Sequence, residues 1–197
     1  SSRASGYLDF NTVHSAHGRA IPVATGVKLA EPKLNVIVLT GDGDATAIGG
    51  NHFIHACRRN IDLTVVVYNN SIYGMTGGQL GPTTLLGQIT TTSPTGRNVE
   101  YYGYPIKIAE HVALCDGTAY SARVSLDSVA NIRKAKQAIK KAFEVQLLGL
   151  GFGFVEILST CPTNWKMSPE AAHERVREEM MKTFIPGVYK DITNSQP

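Results

Sequence analysis

The chain has 197 residues, 43% hydrophobic and 18% charged, enough for one compact domain with a real core and too little for two large ones. Nineteen Lys and Arg against sixteen Asp and Glu leave a net charge of +3, too small an excess to point to nucleic acid. No apolar run approaches the ~20 residues that a membrane helix requires.

Ser1-Ser2-Arg3-Ala4-Ser5-Gly6 carries neither an initiator Met nor a charged-then-apolar leader, and it reads as the middle of a longer polypeptide. Residues 12 to 30 are Ala-rich and apolar and predict a helix that starts or kinks at Pro22. Val36-Ile37-Val38-Leu39-Thr40 is a continuous apolar run suited to a strand buried on both faces. A helix over 47 to 58 follows, and Leu63-Thr64-Val65-Val66-Val67-Tyr68 predicts a second buried strand. The stretch from Gly74 to Gly103 is rich in Gly, Thr, Pro and Ser and too long for an ordinary connection, which marks it as functional. Beyond it come a helix over 105 to 114, a strand over 120 to 124, a helix over 128 to 147 and a strand over 154 to 158. In the long helix, Val129, Ile132, Ile139, Phe143 and Leu147 suggest the core face, and the Arg133, Lys134, Lys136, Lys140 and Lys141 cluster a solvated one. This alternation predicts an α/β fold of three layers with a mainly parallel sheet, in one domain over 1–180 with a tail over 181–197.

Gly41-Asp42-Gly43-Asp44 directly follows the first strand, where open α/β sheets bind ligands. Its glycines allow close approach of a diphosphate to bare backbone, and Asp42 offers a hard oxygen suited to Mg²⁺. The turn is neither a dinucleotide fingerprint, which needs glycine where Thr46 stands, nor a Walker loop, since no Lys occurs between Lys33 and Lys107. Taken alone, it is equally well an ordinary Asp-Gly turn. The second strand ends in Tyr68-Asn69-Asn70-Ser71-Ile72-Tyr73-Gly74. In neighbouring parallel strands, both ends would face one cavity. A carboxylate, an amide oxygen and a backbone carbonyl suffice for Mg²⁺ when phosphates supply the remaining ligands.

Gly-Asp-Gly followed at this distance by Asn-Asn resembles the thiamine-diphosphate signature of transketolases, decarboxylases and 2-oxoacid oxidoreductases. The resemblance implies Mg²⁺ on Asp42, Asn70 and the Ile72 carbonyl, with Asp44 by the diphosphate. His17-Gly18-Arg19-Ala20, Val23-Ala24-Thr25-Gly26, Ala47-Ile48-Gly49-Gly50, Ile72-Tyr73-Gly74-Met75-Thr76-Gly77-Gly78-Gln79 with Pro82-Thr83-Thr84, and Cys161-Pro162-Thr163-Asn164-Trp165 narrow it. From Ser1 to about Arg177 the chain is similar to beta subunits of 2-oxoacid:ferredoxin oxidoreductases.

That family implies a thiamine-diphosphate site built from Gly41, Asp42, Gly43, Asp44, His17, Asn70, Ile72, Gly74, Met75 and Thr76. The glutamate that activates the aminopyrimidine comes from a partner alpha subunit. The reaction implied is oxidative decarboxylation of a 2-oxoacid, 2-oxoglutarate or a branched-chain acid, with the acyl group passing to coenzyme A and electrons to ferredoxin. A [4Fe–4S] cluster is also implied, with Cys161 as one ligand and three cysteines upstream of Ser1; either such a segment exists or this version lacks the cluster. Arg3 is a candidate for the substrate carboxylate, or simply a frayed terminal residue. Gly77 stands where some relatives carry Lys, which weakens inference about the substrate side chain. Cys57 and Cys115 read as packing thiols in a reducing cytoplasm. The pairs His14/His17 and His52/His55 lack the further ligands of a zinc site. Two rival readings stand: a non-oxidative thiamine-dependent decarboxylase subunit, and a binding module without catalysis of its own.

Overall fold

The computed structural model describes residues 6–195. In chain order the elements are α1 (Ala20–Ala30), β1 (Ile37–Gly41), a π-helical turn (Asp44–Ile48), α2 (Gly50–Arg58), β2 (Thr64–Asn69), α3 (Val99–Tyr102), α4 (Ile108–Ala113), β3 (Thr118–Ser125), α5 (Val129–Leu147), β4 (Phe152–Leu158), α6 (Pro162–Trp165), α7 (Pro169–Arg175), α8 (Met181–Thr183) and β5 (Gly187–Asp191). All four predicted strands form within two residues of the expected positions. The first helix starts at Ala20 rather than residue 12, so that Pro22 falls in its first turn, where its missing N–H goes unneeded.

The strands form one sheet in the order β1-β2-β4-β3-β5. The first four run parallel, with Ile37 opposite Thr64, Val65 opposite Phe154 and Ala122 opposite Val155. Alternation along each strand sends side chains to opposite faces. Val65, Val67, Phe152 and Phe154 pack with α1, α2 and α4, while Val66, Val155 and Ile157 pack with α5. Phe53 of α2 meets the rings of Phe152 and Phe154 at 6.2 and 5.5 Å. The result is the three-layer α/β arrangement. No helix among the described residues is long and apolar enough to cross a membrane.

Two expectations change. The buried face of α5 is Ala135, Ala138, Ala142, Val145 and Gln146, whereas Val129, Ile132 and Leu147 are exposed. The helix lies so close to the sheet that a Cβ on Gly153 would stand 2.4 Å from the Ala142 carbonyl oxygen; only small side chains fit that approach, and the larger apolar residues are turned aside. The predicted tail also joins the domain. Residues 187–191 add an antiparallel edge strand beside β3, and Phe184 ahead of it is fully buried.

A buried polar chain ties this edge to the centre of the sheet. Glu156 of β4 accepts hydrogen bonds from Asn69 Nδ2 (2.7 Å), Arg123 Nε (2.9 Å) and the Ala109 N–H (3.2 Å). Arg123 also pairs with Glu110 and donates to the Ile185 carbonyl and the Tyr189 hydroxyl. Every charge in the network therefore faces an opposite charge or a hydrogen-bond partner, as a buried ion pair requires.

Candidate thiamine-diphosphate site

The carboxyl ends of β1, β2 and β4 open onto one cleft of about 870 Å³. Its walls include His17, Gly41, Asp42, Gly43, Asp44, Asn70, Ile72, Gly74, Met75, Thr76 and Cys161. Every site residue predicted from the sequence within the described region thus lines a single cavity; Arg3 lies outside the described residues. His14 and His17 both precede α1 rather than lying on a helix, and of the two His17 lines the cleft.

The turn after β1 is shaped by close packing. A Cβ on Gly43 would meet the Tyr73 ring at 2.3 Å, and the Tyr73 hydroxyl donates to the Gly43 carbonyl at 3.3 Å. Gly43 has an ordinary helical backbone (φ −65°, ψ −35°), so glycine there is required by packing and not by conformation. The chain then enters the π-helical turn, closed by Gly49 N–H donating to the Asp44 carbonyl at 2.9 Å; such wide turns recur at functional sites. Gly18, at φ +69°, lies against it, and a Cβ there would clash with the Ile48 backbone.

Asp44 is fully furnished. Its carboxylate accepts from Thr40 Oγ1 (2.6 Å) and the Gly18 N–H (2.7 Å), and it pairs with His17 Nδ1 at 2.9 Å. Burial pushes its carboxyl up, but these donors outweigh burial and hold it below the usual carboxylate range. Most of its hydrogen-bonding capacity is used within the protein, so Asp44, itself on the cleft wall, holds His17 and Gly18 in place.

Asp42 has the opposite character. It is 4% exposed, and its partners are the Thr83 hydroxyl on Oδ2 and the amides of Gly43 and of Asp42 itself. Burial dominates over all three, aided by the nearby Glu156 charge, and raises its carboxyl to about 7. A buried carboxylate with no cationic partner among the described residues is the donor that a divalent cation would complete.

The turn after β2 is held from below. Asn69, fully buried, accepts from the Ser71 N–H at 2.9 Å, and Ser71 sits at φ 56°. The Ser71 carbonyl accepts from Thr84 Oγ1 (2.8 Å) and Gln88 Nε2 (3.0 Å). This fixes the backbone between Asn70 and Ile72, whose side-chain oxygen and carbonyl are the neutral donors expected there. Asn164, from the loop after β4, donates to the Gly74 carbonyl at 2.9 Å and to Cys161 Sγ at 3.3 Å.

Tyr73, Thr83 and Asn164 are the functional neighbours that sequence reasoning missed. They stand in segments that carried the resemblance, but nothing in their spacing separates a cleft residue from a packing one.

Among the described residues, no three His, Cys, Asp or Glu side chains gather into a metal cage. Asp42 with Asn70 and a backbone carbonyl nevertheless fits a cation whose other ligands are phosphate oxygens, as Mg²⁺ prefers. A complete iron–sulfur cluster does not fit them: of the three cysteines, Cys161 alone lines the cleft, and Cys57 is buried in the core with Cys115 packed against it.

Residues 1–152 match the family model described as thiamine pyrophosphate enzyme, C-terminal TPP binding domain. The chain belongs to this family. Within it, the chain is 52% identical over 182 residues to the 2-oxoglutarate synthase subunit KorB of Archaeoglobus fulgidus, covering 92% of this chain and 64% of that protein. It is 45% identical over 185 residues to the ketoisovalerate oxidoreductase subunit VorA of Methanothermobacter thermautotrophicus, covering 94% of this chain and 39% of that one. A solved structure of 2-oxoglutarate:ferredoxin oxidoreductase from Magnetococcus marinus, with 2-oxoglutarate, coenzyme A and succinyl-CoA bound, superposes with a TM-score of 0.69 at 29% identity, covering 93% of this chain and 65% of that chain. This member of the thiamine pyrophosphate family therefore spans less than two thirds of each of these relatives. The similarity to 2-oxoacid oxidoreductase subunits is nonetheless plain, and it agrees with the resemblance carried by the sequence.

Proposed function

We propose that this chain is the diphosphate-binding part of a 2-oxoacid:ferredoxin oxidoreductase beta subunit. It would act in the cytoplasm with an alpha subunit that supplies the pyrimidine half of the site. The observation that carries this reading is Asp42, buried at the end of β1 without a cationic partner among the described residues and sharing one cleft with Asn70 and Ile72. Bound thiamine diphosphate supplies the electron-accepting chemistry that decarboxylation of a 2-oxoacid needs.

This chain's contribution is to bind and orient. Asp42, the Asn70 side chain and the Ile72 carbonyl would hold Mg²⁺, and the bare backbone at Gly41 and Gly43 would admit the diphosphate. His17, fixed by Asp44, stands at the cleft wall within reach of an anionic ligand. Gly74, Met75 and Thr76 border the same cavity, where Met75 offers a large exposed apolar surface to a planar ring. Cys161 would supply one ligand of an iron–sulfur cluster, and the 197 residues do not hold a complete ligand set for one. The proposed substrate is 2-oxoglutarate or a branched-chain 2-oxoacid, with coenzyme A as acyl acceptor and ferredoxin as electron acceptor. Neither the non-oxidative reading nor the silent-module reading is favoured by any observation of the site.

The test is calorimetric titration of thiamine diphosphate into the full-length protein with its co-purifying partner, with and without Mg²⁺. Saturable binding that requires Mg²⁺ is the expected result. Binding that is absent, or indifferent to Mg²⁺, overturns the assignment.

A further inference from the structure

The loop between Gly74 and Gly103 reaches back to the turn after β1, and the contact falls on one oxygen of one residue. Thr83, fully buried, donates its hydroxyl hydrogen to Asp42 Oδ2. The hydroxyl is locked in place, because Arg97 donates from Nη1 to the carbonyls on both sides of it: Gly81 (3.1 Å), Pro82 (3.0 Å) and Thr84 (2.8 Å). Arg97 is itself 5% exposed and also donates to the carbonyls of Tyr102, Gly103 and Tyr104. Thr84, the next residue, holds the Ser71 carbonyl. One clamped loop thus braces both strand-end turns of the proposed cation site.

We infer that Thr83 is a specificity-determining positioning residue: by occupying Asp42 Oδ2 it leaves only Oδ1 for the cation and selects Mg²⁺ over Ca²⁺. The inference rests on the proposed cofactor site. Its physical basis is that Mg²⁺ demands near-octahedral geometry at short distance, which the narrow bite of a two-oxygen carboxylate cannot satisfy, whereas Ca²⁺ accepts one or both oxygens. With Oδ2 held by a hydroxyl, the carboxylate can offer one oxygen and keeps a fixed rotation about its Cβ–Cγ bond. A valine at 83 has nearly the same shape but no donor, so Oδ2 becomes free and the carboxylate can turn.

The experiment is thiamine diphosphate binding to the full-length complex, followed by calorimetry against Mg²⁺ and, separately, Ca²⁺, for wild type, Thr83→Val and Thr83→Ser. Thr83→Val should weaken Mg²⁺-dependent binding on the order of tenfold, the loss expected for one hydrogen bond to a charged group. It should spare Ca²⁺-dependent binding, so that the Ca²⁺-to-Mg²⁺ affinity ratio rises by a similar factor. Thr83→Ser should restore the wild-type ratio. Equal loss for both cations in Thr83→Val, or a Ser variant that behaves like Val, overturns the inference. If Thr83→Val does not fold, a structure of the wild-type complex with Mg²⁺ and thiamine diphosphate decides: it must show Asp42 on the cation through one oxygen with Thr83 on the other, and a two-oxygen Asp42 overturns the inference. Wild type that binds no cofactor with Mg²⁺ would instead overturn the site assignment itself, a distinct result.

Discussion

Asp42 and Glu156 are both buried carboxylates, at 4% and 0% exposure, and burial raises both carboxyls, yet their partners differ in kind. Glu156 sits in the middle of β4 with a guanidinium, an amide and a backbone N–H directed at it. Asp42 lies at the end of β1 facing a cleft, with a hydroxyl and two backbone amides but no cation for partners among the described residues. Folding in isolation would favour the first arrangement everywhere, since an unpaired buried charge is among the most unfavourable features a protein can hold. A carboxylate left short of partners at the mouth of a cleft is a place where stability has been given up for binding. The two are coupled through one strand end: Asn69, which donates to Glu156, also accepts from Ser71 beside Asn70. The satisfied network is the floor on which the unsatisfied site stands.

The largest effect should come from breaking the satisfied side. Arg123→Met leaves Glu156 buried without its charge partner and releases Glu110, Tyr189 and the Ile185 carbonyl together. Removing one member of such a pair costs about 3–5 kcal/mol, and chemical denaturation of wild type and variant measures it. Hydrogen exchange should also accelerate across residues 185–191, since β5 loses the anchor on its preceding turn. A loss below about 1 kcal/mol would mean that the network is redundant and that the contrast with Asp42 has no energetic content.

Much of this contrast was legible in the sequence, and the rest was hidden for identifiable reasons. β2 and β4 announce themselves as apolar runs buried nearly throughout; β1, expected to be buried on both faces, is instead a sheet edge with Ile37 exposed, and β3, with Ser and Arg in its middle, is a weaker pattern. The cleft follows from topology, since Gly41–Asp44 and Asn70–Gly74 end adjacent parallel strands. By contrast, β5 is a five-residue edge strand with a Lys and an Asp in it, too weak a pattern to separate from a tail. The face of α5 was misread because closeness to the sheet at Gly153 selects alanines over the larger residues that periodicity favours. Arg97 lies in a Gly- and Thr-rich loop whose pattern says nothing of burial; that burial depends on six carbonyls that converge only after the loop has folded. Thr83 meets Asp42 across forty-one positions, and no local rule reports such a contact.

The next effect has the opposite sign. In cation-free protein, a carboxyl raised from 3.8 to about 7 contributes stability fully present below pH 3.8 and lost as pH rises through 7. Asp42→Asn removes that loss. At pH 8 in chelator, the variant should therefore be more stable than wild type, on the order of 4 kcal/mol. The advantage should shrink steadily as pH falls toward 4, while Mg²⁺-dependent cofactor binding is abolished. Thermal unfolding across this range, with and without chelator, gives the comparison directly. A variant less stable than wild type at pH 8 would show that Asp42 is adequately partnered without a cation.

The smallest effect tests whether the contrast is general. Asp127, 9% exposed, resembles Glu156 in being furnished: Oδ1 accepts from Ser125 Oγ (2.5 Å) and Asn131 Nδ2 (2.8 Å) at the start of α5. Burial pushes its carboxyl up, but these donors and the Arg177 charge hold it below its usual value. The sign is then the reverse of that for Asp42: its contribution is present above pH 3.8 and disappears as pH falls through the lowered value. Asp127→Ala should lose about 1 kcal/mol at pH 7, and the difference from wild type should narrow on acidification below pH 4. Denaturation midpoints at pH 7 and pH 3 suffice to see it. A difference that widened on acidification would place Asp127 with Asp42, and burial without adequate partners would then no longer distinguish the cleft from the rest of the fold.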